Sequence, residues 1–159
     1  MTECRTGLGW DVHRLLRGRR FILGGVAITA DFGPEGHSDA DVLLHAITDA
    51  VLGAAALGDI GLHFPDSDPE WKGASSDLFL RRAVEMVRAE GFRIANLDST
   101  VLLERPKLKD YRPAIRENVA AMLDIETGRV SVKFKTTEKM GPVGEGRAVE
   151  AQAVVTLVK

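Results

Sequence analysis

Hydrophobic and polar positions divide the chain into a mixed series of strands and helices. Val130, Val132 and Phe134 alternate with polar neighbours, which predicts a half-buried strand over residues 130–136. Residues 148–158 read as a last strand, residues 4–10 as a short glycine-containing one, and residues 92–104 as another whose start is disturbed at Asn96-Leu97-Asp98. Phe21-Ile22-Leu23 and Val26-Ala27-Ile28 flank Gly24-Gly25, a two-residue hairpin signal.

Three segments carry helical patterns. Residues 41–57 are apolar over most of their circumference, so that helix is expected to be buried, with Ser38 or Asp39 as its cap. Residues 76–90 have Ser75 or Ser76 as a cap, end at Gly91 and place Leu80, Val84 and Val87 on one stripe. Residues 111–123 form the third. Between the first two, residues 58–75 contain Gly, Pro and Asp throughout, and a loop this long is usually functional. Residues 138–146 form a second, glycine-rich loop. Strands separated by helices predict an α/β sandwich of two layers, with helices on one face of a sheet.

The 159 residues suit one domain, 1–159, with a single core. Hydrophobic residues make up 45% and charged residues 28%, an ordinary globular composition that argues against disorder. Lys plus Arg (21) against Asp plus Glu (23) leaves −2, which is not the global charge of a nucleic-acid or anionic-membrane binder. The single cysteine, Cys4, excludes an intrachain disulfide and any Cys-rich zinc module. It is expected to be inert, and the chain fits a reducing compartment. No apolar h-region or run of roughly 20 apolar residues is present, so neither a secretory leader nor a membrane span is expected. Trp10 and Trp71 are expected to pack.

Three clusters can carry chemistry. Asp11-Val12-His13 follows the first strand, and residues two apart on a strand share a face. His45 lies on the first helix, with Asp41 and Asp49 one turn away on either side. Asp11, His13 and His45 together offer one oxygen and two nitrogen ligands, a set that suits catalytic zinc. An ordinary polar strand end and a satisfied core histidine remain the alternative. In Gly36-His37-Ser38-Asp39, His37 precedes the helix cap, where backbone N–H groups favour a phosphate. In Lys135-Thr136-Thr137-Glu138-Lys139, hydroxyls and an ammonium suit phosphate oxygens, and Glu138 suits a hard divalent cation.

The run Gly36-His37-Ser38-Asp39-Ala40-Asp41-Val42-Leu43-Leu44-His45-Ala46-Ile47-Thr48-Asp49-Ala50 closely resembles the signature of the 2-C-methyl-D-erythritol 2,4-cyclodiphosphate synthase family. Its continuation, Leu57-Gly58-Asp59-Ile60-Gly61 and Phe64-Pro65-Asp66-Ser67-Asp68-Pro69, resembles it too. So do Asp11-Val12-His13-Arg14-Leu15, Arg105-Pro106-Lys107 and Lys135-Thr136-Thr137-Glu138-Lys139 in order and spacing. The resemblance covers nearly the whole chain.

The resemblance implies a phosphorus–oxygen lyase of non-mevalonate isoprenoid synthesis, acting in the cytoplasm. Its substrate is 4-diphosphocytidyl-2-C-methyl-D-erythritol 2-phosphate, cyclised with release of CMP. The implied fold is an α/β plait, ferredoxin-like, with a mixed four-stranded sheet, helices on one face and a small hairpin. One Zn²⁺ per chain is implied on Asp11, His13 and His45, and Mg²⁺ or Mn²⁺ on Glu138. His37 and Thr136 are implied as transition-state stabilisers. Asp11, His13, His37 and Ser38, with Lys135, Thr136, Thr137 and Glu138, are implied at the phosphates. Leu103, Glu104, Arg105, Pro106, Lys107, Leu108 and Lys109 are implied at the cytidine. Asp59, Ile60, Gly61, Phe64, Pro65, Asp66, Ser67 and Asp68 are implied at the ribose and erythritol. The family forms homotrimers with active sites between subunits. Gly141 to Gly146 departs from its pattern, lacking the usual Phe and Arg. A zinc hydrolase and a non-catalytic nucleotide sensor are the competing classes.

Overall fold

The computed structural model describes residues 3–36, 38–65, 67–71 and 73–159. Strand β1 (Cys4–Arg17) leads into the hairpin β2 (Phe21–Leu23) and β3 (Val26–Ile28), then β4 (Phe32–Pro34) and helix α1 (Val42–Ala54). The short helix α2 (Ile60–His63) and a 3₁₀ turn (Pro69–Trp71) precede α3 (Ser76–Ala89) and β5 (Arg93–Leu102). A 3₁₀ turn (Lys109–Tyr111) opens α4 (Arg112–Leu123), and another (Thr127–Arg129) opens β6 (Val130–Lys135). The short helix α5 (Gly141–Gly144) and β7 (Ala148–Val158) complete the order.

The fold is mixed α/β. One sheet runs β4-β1-β7-β5-β6, with β5 and β6 parallel and the other pairs antiparallel. It has five strands rather than the expected four. The additional one is β4, whose Phe32-Gly33-Pro34 is too short to alternate. As an edge strand it tolerates a proline without losing a ladder bond. β1 is also longer than residues 4–10, extending to Arg17. The hairpin turns at Gly24 and Gly25 as expected, both at positive φ (57° and 74°).

Alternate residues of β7 (Val149, Ala151, Ala153, Val155 and Leu157) are buried under α1, whose Val42, Leu43, Leu44, Ile47 and Val51 are likewise enclosed. The stripe Leu80, Val84 and Val87 of α3 is buried as expected. The cap of α1 is Asp41, not Ser38 or Asp39. Its side chain accepts from Leu44 N at 3.1 Å, and also from Gly24 N at 3.0 Å and Gly25 N at 2.8 Å, so one carboxylate caps the helix and ties the hairpin turn to it. Among the described residues no helix is long and apolar enough to cross a membrane.

The position of α1 over the sheet depends on Gly7 and Gly9. A Cβ on Gly9 would meet Ala46 O at 1.8 Å, and one on Gly7 would meet Ala50 O at 2.0 Å. The helix therefore rests on bare β1 backbone, and Asp11 and His13 further along that face come level with His45.

Candidate metal centre and active site

Asp11 and His13 project from the helix-covered face of β1, and His45 comes down from α1 between them. Asp11 Oδ2 lies 2.9 Å from His13 Nε2 and 3.0 Å from His45 Nδ1, and the two nitrogens are 3.2 Å apart. Ligand atoms about 2.0–2.1 Å from a tetrahedral zinc are separated by about 3.3 Å, so this triangle has close to the required edge. Among the described residues, these three form the group whose carboxylate and imidazole atoms lie close enough to hold a metal ion. Each imidazole has its outer nitrogen engaged. His13 Nδ1 donates to Glu35 O at 2.7 Å, and His45 Nε2 lies 2.9 Å from Ser76 Oγ. Such outer contacts orient metal-binding rings.

The electrostatics favour an ionised carboxylate. Burial pushes the Asp11 carboxyl up, but hydrogen bonds and charge from His13 and His45 outweigh it and hold the pKa at about 2. Burial pushes His13 down, and its bond and attraction to Asp11 outweigh that and raise it.

The triad opens into a cavity of about 620 Å³. Of the residues that the resemblance implies at the substrate, Ser38, Ile60, Gly61, Phe64 and Pro65 line it; Gly36, Trp71 and Phe79, which it does not imply, line it too. Phe64 packs between Phe79 (4.9 Å between centroids) and Trp71 (5.2 Å), forming one aromatic wall. Asp59 caps α2 by accepting from Leu62 N at 2.9 Å. Ser67 and Asp68 lie in the turn between α2 and the Pro69–Trp71 3₁₀ turn, outside the cavity lining. His37 and Asp66 lie outside the described residues. The two helical neighbours of His45 are used elsewhere: Asp41 caps α1, and Asp49 accepts from Ile60 N at 2.8 Å.

The other expected segments meet at a second place. Leu103 N donates to Lys135 O at 2.9 Å, so residues 103–109 and 135–138 adjoin. There Thr136 Oγ1 donates to Glu138 Oε1 at 2.7 Å, and Thr137 Oγ1 to Met140 O at 2.7 Å. Leu103 and Leu108 are buried, Arg105, Lys107 and Lys109 are exposed, and the Arg105–Pro106 peptide is cis. One Glu104 oxygen is buried without a hydrogen-bond partner.

The triad cavity and this second cluster are separate within one chain. Val12, Glu150, Leu102 and Lys135 are register partners in a single row across β1, β7, β5 and β6. Three strand spacings, about 14 Å, therefore separate the triad's row position from Lys135. No residue of 103–109 or 135–138 lines the triad cavity.

The chain matches the model of the YgbB family over residues 4–158. It belongs to that family. It is 67% identical over its full length, and the relative's, to the 2-C-methyl-D-erythritol 2,4-cyclodiphosphate synthase of Solibacter usitatus. Among solved structures it is similar to a CDP-bound form of 2C-methyl-D-erythritol-2,4-cyclodiphosphate synthase, with TM-score 0.90, 41% identity and coverage of 96% of this chain and 99% of that one. It is also similar to the bifunctional IspDF of Campylobacter jejuni, with TM-score 0.95 and 43% identity over 99% of this chain, which spans 43% of that protein.

Trp10 does not pack as expected. It is 54% exposed on the open face of the sheet and donates through Nε1 to Glu150 Oε1 at 2.7 Å. Neither Trp71 nor Phe79 has a local pattern marking it for the cavity. Only the path of the loop brings them together.

Proposed function

We propose that this chain is a phosphorus–oxygen lyase that converts 4-diphosphocytidyl-2-C-methyl-D-erythritol 2-phosphate to 2-C-methyl-D-erythritol 2,4-cyclodiphosphate and CMP, in non-mevalonate isoprenoid synthesis. An oxygen of the 2-phosphate attacks the β-phosphorus, and the bond from that phosphorus to the CMP oxygen breaks. The nucleophile is already anionic, so catalysis needs in-line positioning and charge neutralisation rather than a strong base. Asp11, His13 and His45 would hold one Zn²⁺, and Glu138 would hold Mg²⁺ or Mn²⁺; when bound, these cations neutralise charge on the phosphoryl oxygens. His37 and Thr136 stabilise the transition state, the Thr136 hydroxyl turning to the phosphate from Glu138, to which it donates in the free chain. Ser38 and Lys135 to Glu138 contact phosphates. Residues 103–109 hold the cytidine, and residues 59–61 and 64–68 hold the ribose and erythritol. The aromatic wall of the cavity keeps water from the reacting groups.

The two half-sites support a homotrimer in which the triad of one copy meets residues 103–109 and 135–138 of the next. Leu8 (70% exposed), Trp10 and Val12 on β1, with Val154 on β7, present the apolar face that such copies would cover. The chain is read as one unit, 1–159, that acts in the cytoplasm, and its sheet as the α/β plait with β4 added at the edge.

The observation that carries this reading is the Asp11–His13–His45 triangle at the cavity floor of a YgbB-family chain. Phosphorus NMR of the purified protein with substrate and Mg²⁺ tests it. Cyclic diphosphate plus CMP is expected. Linear hydrolysis products would make the site a zinc hydrolase, and no conversion would make it a nucleotide sensor. Sedimentation equilibrium tests the trimer, which requires a mass of three chains.

A further inference from the structure

The hydrogen bonds beyond His45 run in one direction. Its Nδ1 faces Asp11 Oδ2 and His13 Nε2, so a ring that offers this lone pair to a cation carries its proton on Nε2. That nitrogen lies 2.9 Å from Ser76 Oγ and 3.3 Å from Ser38 Oγ. Ser76 Oγ accepts a hydrogen bond from that N–H and donates its own to Asp39 Oδ1. Asp39 also accepts from Ser76 N on Oδ2 at 3.2 Å, so both donors of Ser76 end on one carboxylate. Ser38 is the weaker partner, since its Oγ also takes Ala40 N at 3.2 Å.

Three separate elements make this chain of contacts: His45 on α1, Ser76 as the first residue of α3, and Asp39 in the segment before α1. Ser76 is wholly buried, so bulk water cannot replace its hydroxyl. Ser75 holds the cap position of α3, and its side chain makes no cap hydrogen bond. Here Asp39 satisfies the α3 N–H, which leaves the Ser76 hydroxyl for His45. We infer that Ser76 and Asp39 are positioning residues for the metal centre, fixing the tautomer and ring plane of His45 so that Nδ1 is presented to the ion. The inference rests on the zinc reading of the triad. It also couples the start of α3 to the metal, so the end of the 58–75 loop is anchored through a ligand.

The test is zinc affinity by chelator competition, on the unsubstituted protein and on S76A, S76T and H45A. S76A should bind zinc about 10- to 100-fold more weakly, as loss of an outer-shell partner typically does. S76T keeps the hydroxyl and should recover affinity to within about threefold of the unsubstituted protein. In the zinc-loaded protein the His45 Nε2–H should give a slowly exchanging proton resonance, retained in S76T and lost in S76A. Unchanged affinity and resonance in S76A, beside an H45A variant that has lost zinc, would overturn the positioning role alone. Unchanged zinc in H45A would overturn the metal reading instead. Should S76A fail to fold, the unsubstituted protein still decides: a fast-exchanging Nε2–H contradicts a buried acceptor.

Discussion

His13 and His45 are 32 residues apart in sequence and 3.2 Å apart at their facing ring nitrogens. In the tautomers that can bind a cation, with His13 Nδ1 donating to Glu35 O and His45 Nε2 to Ser76 Oγ, two lone pairs face the Asp11 carboxylate. Without a cation, protons on the facing ring nitrogens bridge to Asp11 instead, which, against the opposing effect of burial, keeps Asp11 ionised and raises His13. His45→Ala leaves only two ligands, too few for a structured zinc site. Elemental analysis of that variant should find zinc well below one per chain and most activity gone. Full zinc occupancy would refute the ligand set.

Glu138 is exposed and lies apart from the triad cavity, so its effect should separate from zinc. An amide is a poorer ligand for a hard cation than a carboxylate. Glu138→Gln should keep its zinc and raise the half-saturating Mg²⁺ concentration by about tenfold. An unchanged Mg²⁺ titration would remove Glu138 from the metal set.

The one proton of the Thr136 hydroxyl is held by Glu138 Oε1 at 2.7 Å in the free chain; turned to a phosphoryl oxygen of the substrate, it would make a contact that strengthens as charge develops. Thr136→Val keeps the shape and removes the donor. A hydrogen bond to a charged group contributes about 1.5–3 kcal/mol, so kcat should fall roughly 10- to 100-fold with little change in KM. A rise in KM at constant kcat would assign Thr136 to ground-state binding.

The candidate metal triad is legible in the sequence because both halves carry local signals: D-x-H at a strand, and a lone histidine in an apolar helix. The extent of β1 is hidden by its inverted pattern. Gly7, Gly9, Asp11 and His13 face the helices, while Leu8, Trp10 and Val12 face outward. Functional residues and close packing occupy positions where a strand normally shows its core. The helix cap is similarly ambiguous, because Ser38, Asp39 and Asp41 are all capping residues. The choice falls to Asp41 through the distant amides of Gly24 and Gly25, and Asp39 is taken by Ser76. Neither contact has a local signature.

Asp41 should make stability depend on pH. Complete burial raises its pKa from 3.8 to about 6, against the opposing effect of three backbone N–H bonds. Between these values the folded state binds more protons than the unfolded, so the Asp41 contribution is greatest below pH 3.8 and is lost as pH rises through about 6. The full span is at most about 3 kcal/mol. Asp41→Asn removes the titration and keeps one acceptor oxygen. Urea unfolding at pH 4.5 and 7.5 should show the variant's deficit shrinking at the higher pH. A deficit that grows with pH would mean that the carboxylate is stabilised by the fold when charged.

Gly9 offers the sharpest link between packing and chemistry. Its φ is not in the left-handed region, so the requirement is for space rather than backbone freedom. A methyl group there would meet Ala46 O at 1.8 Å, Ala50 N at 2.7 Å and Ala46 C at 2.8 Å, all backbone atoms of α1. A helix backbone cannot swing aside as a side chain does, so α1 must lift from β1. Overpacking of this kind costs about 1–3 kcal/mol, and rigid backbone contacts place Gly9→Ala toward the upper end. The lift also acts on the site, because His45 precedes Ala46 on α1 and Asp11 lies two residues beyond Gly9 on β1. The triangle would open and zinc would bind more weakly in the molecules that remain folded. Gly53→Ala is the control, since a Cβ at that helical position meets nothing within 4 Å. It should be neutral or mildly stabilising by helix propensity. Thermal unfolding and zinc competition on both variants decide the matter: equal stability and equal zinc affinity would show that α1 does not take its height from the bare backbone at Gly9.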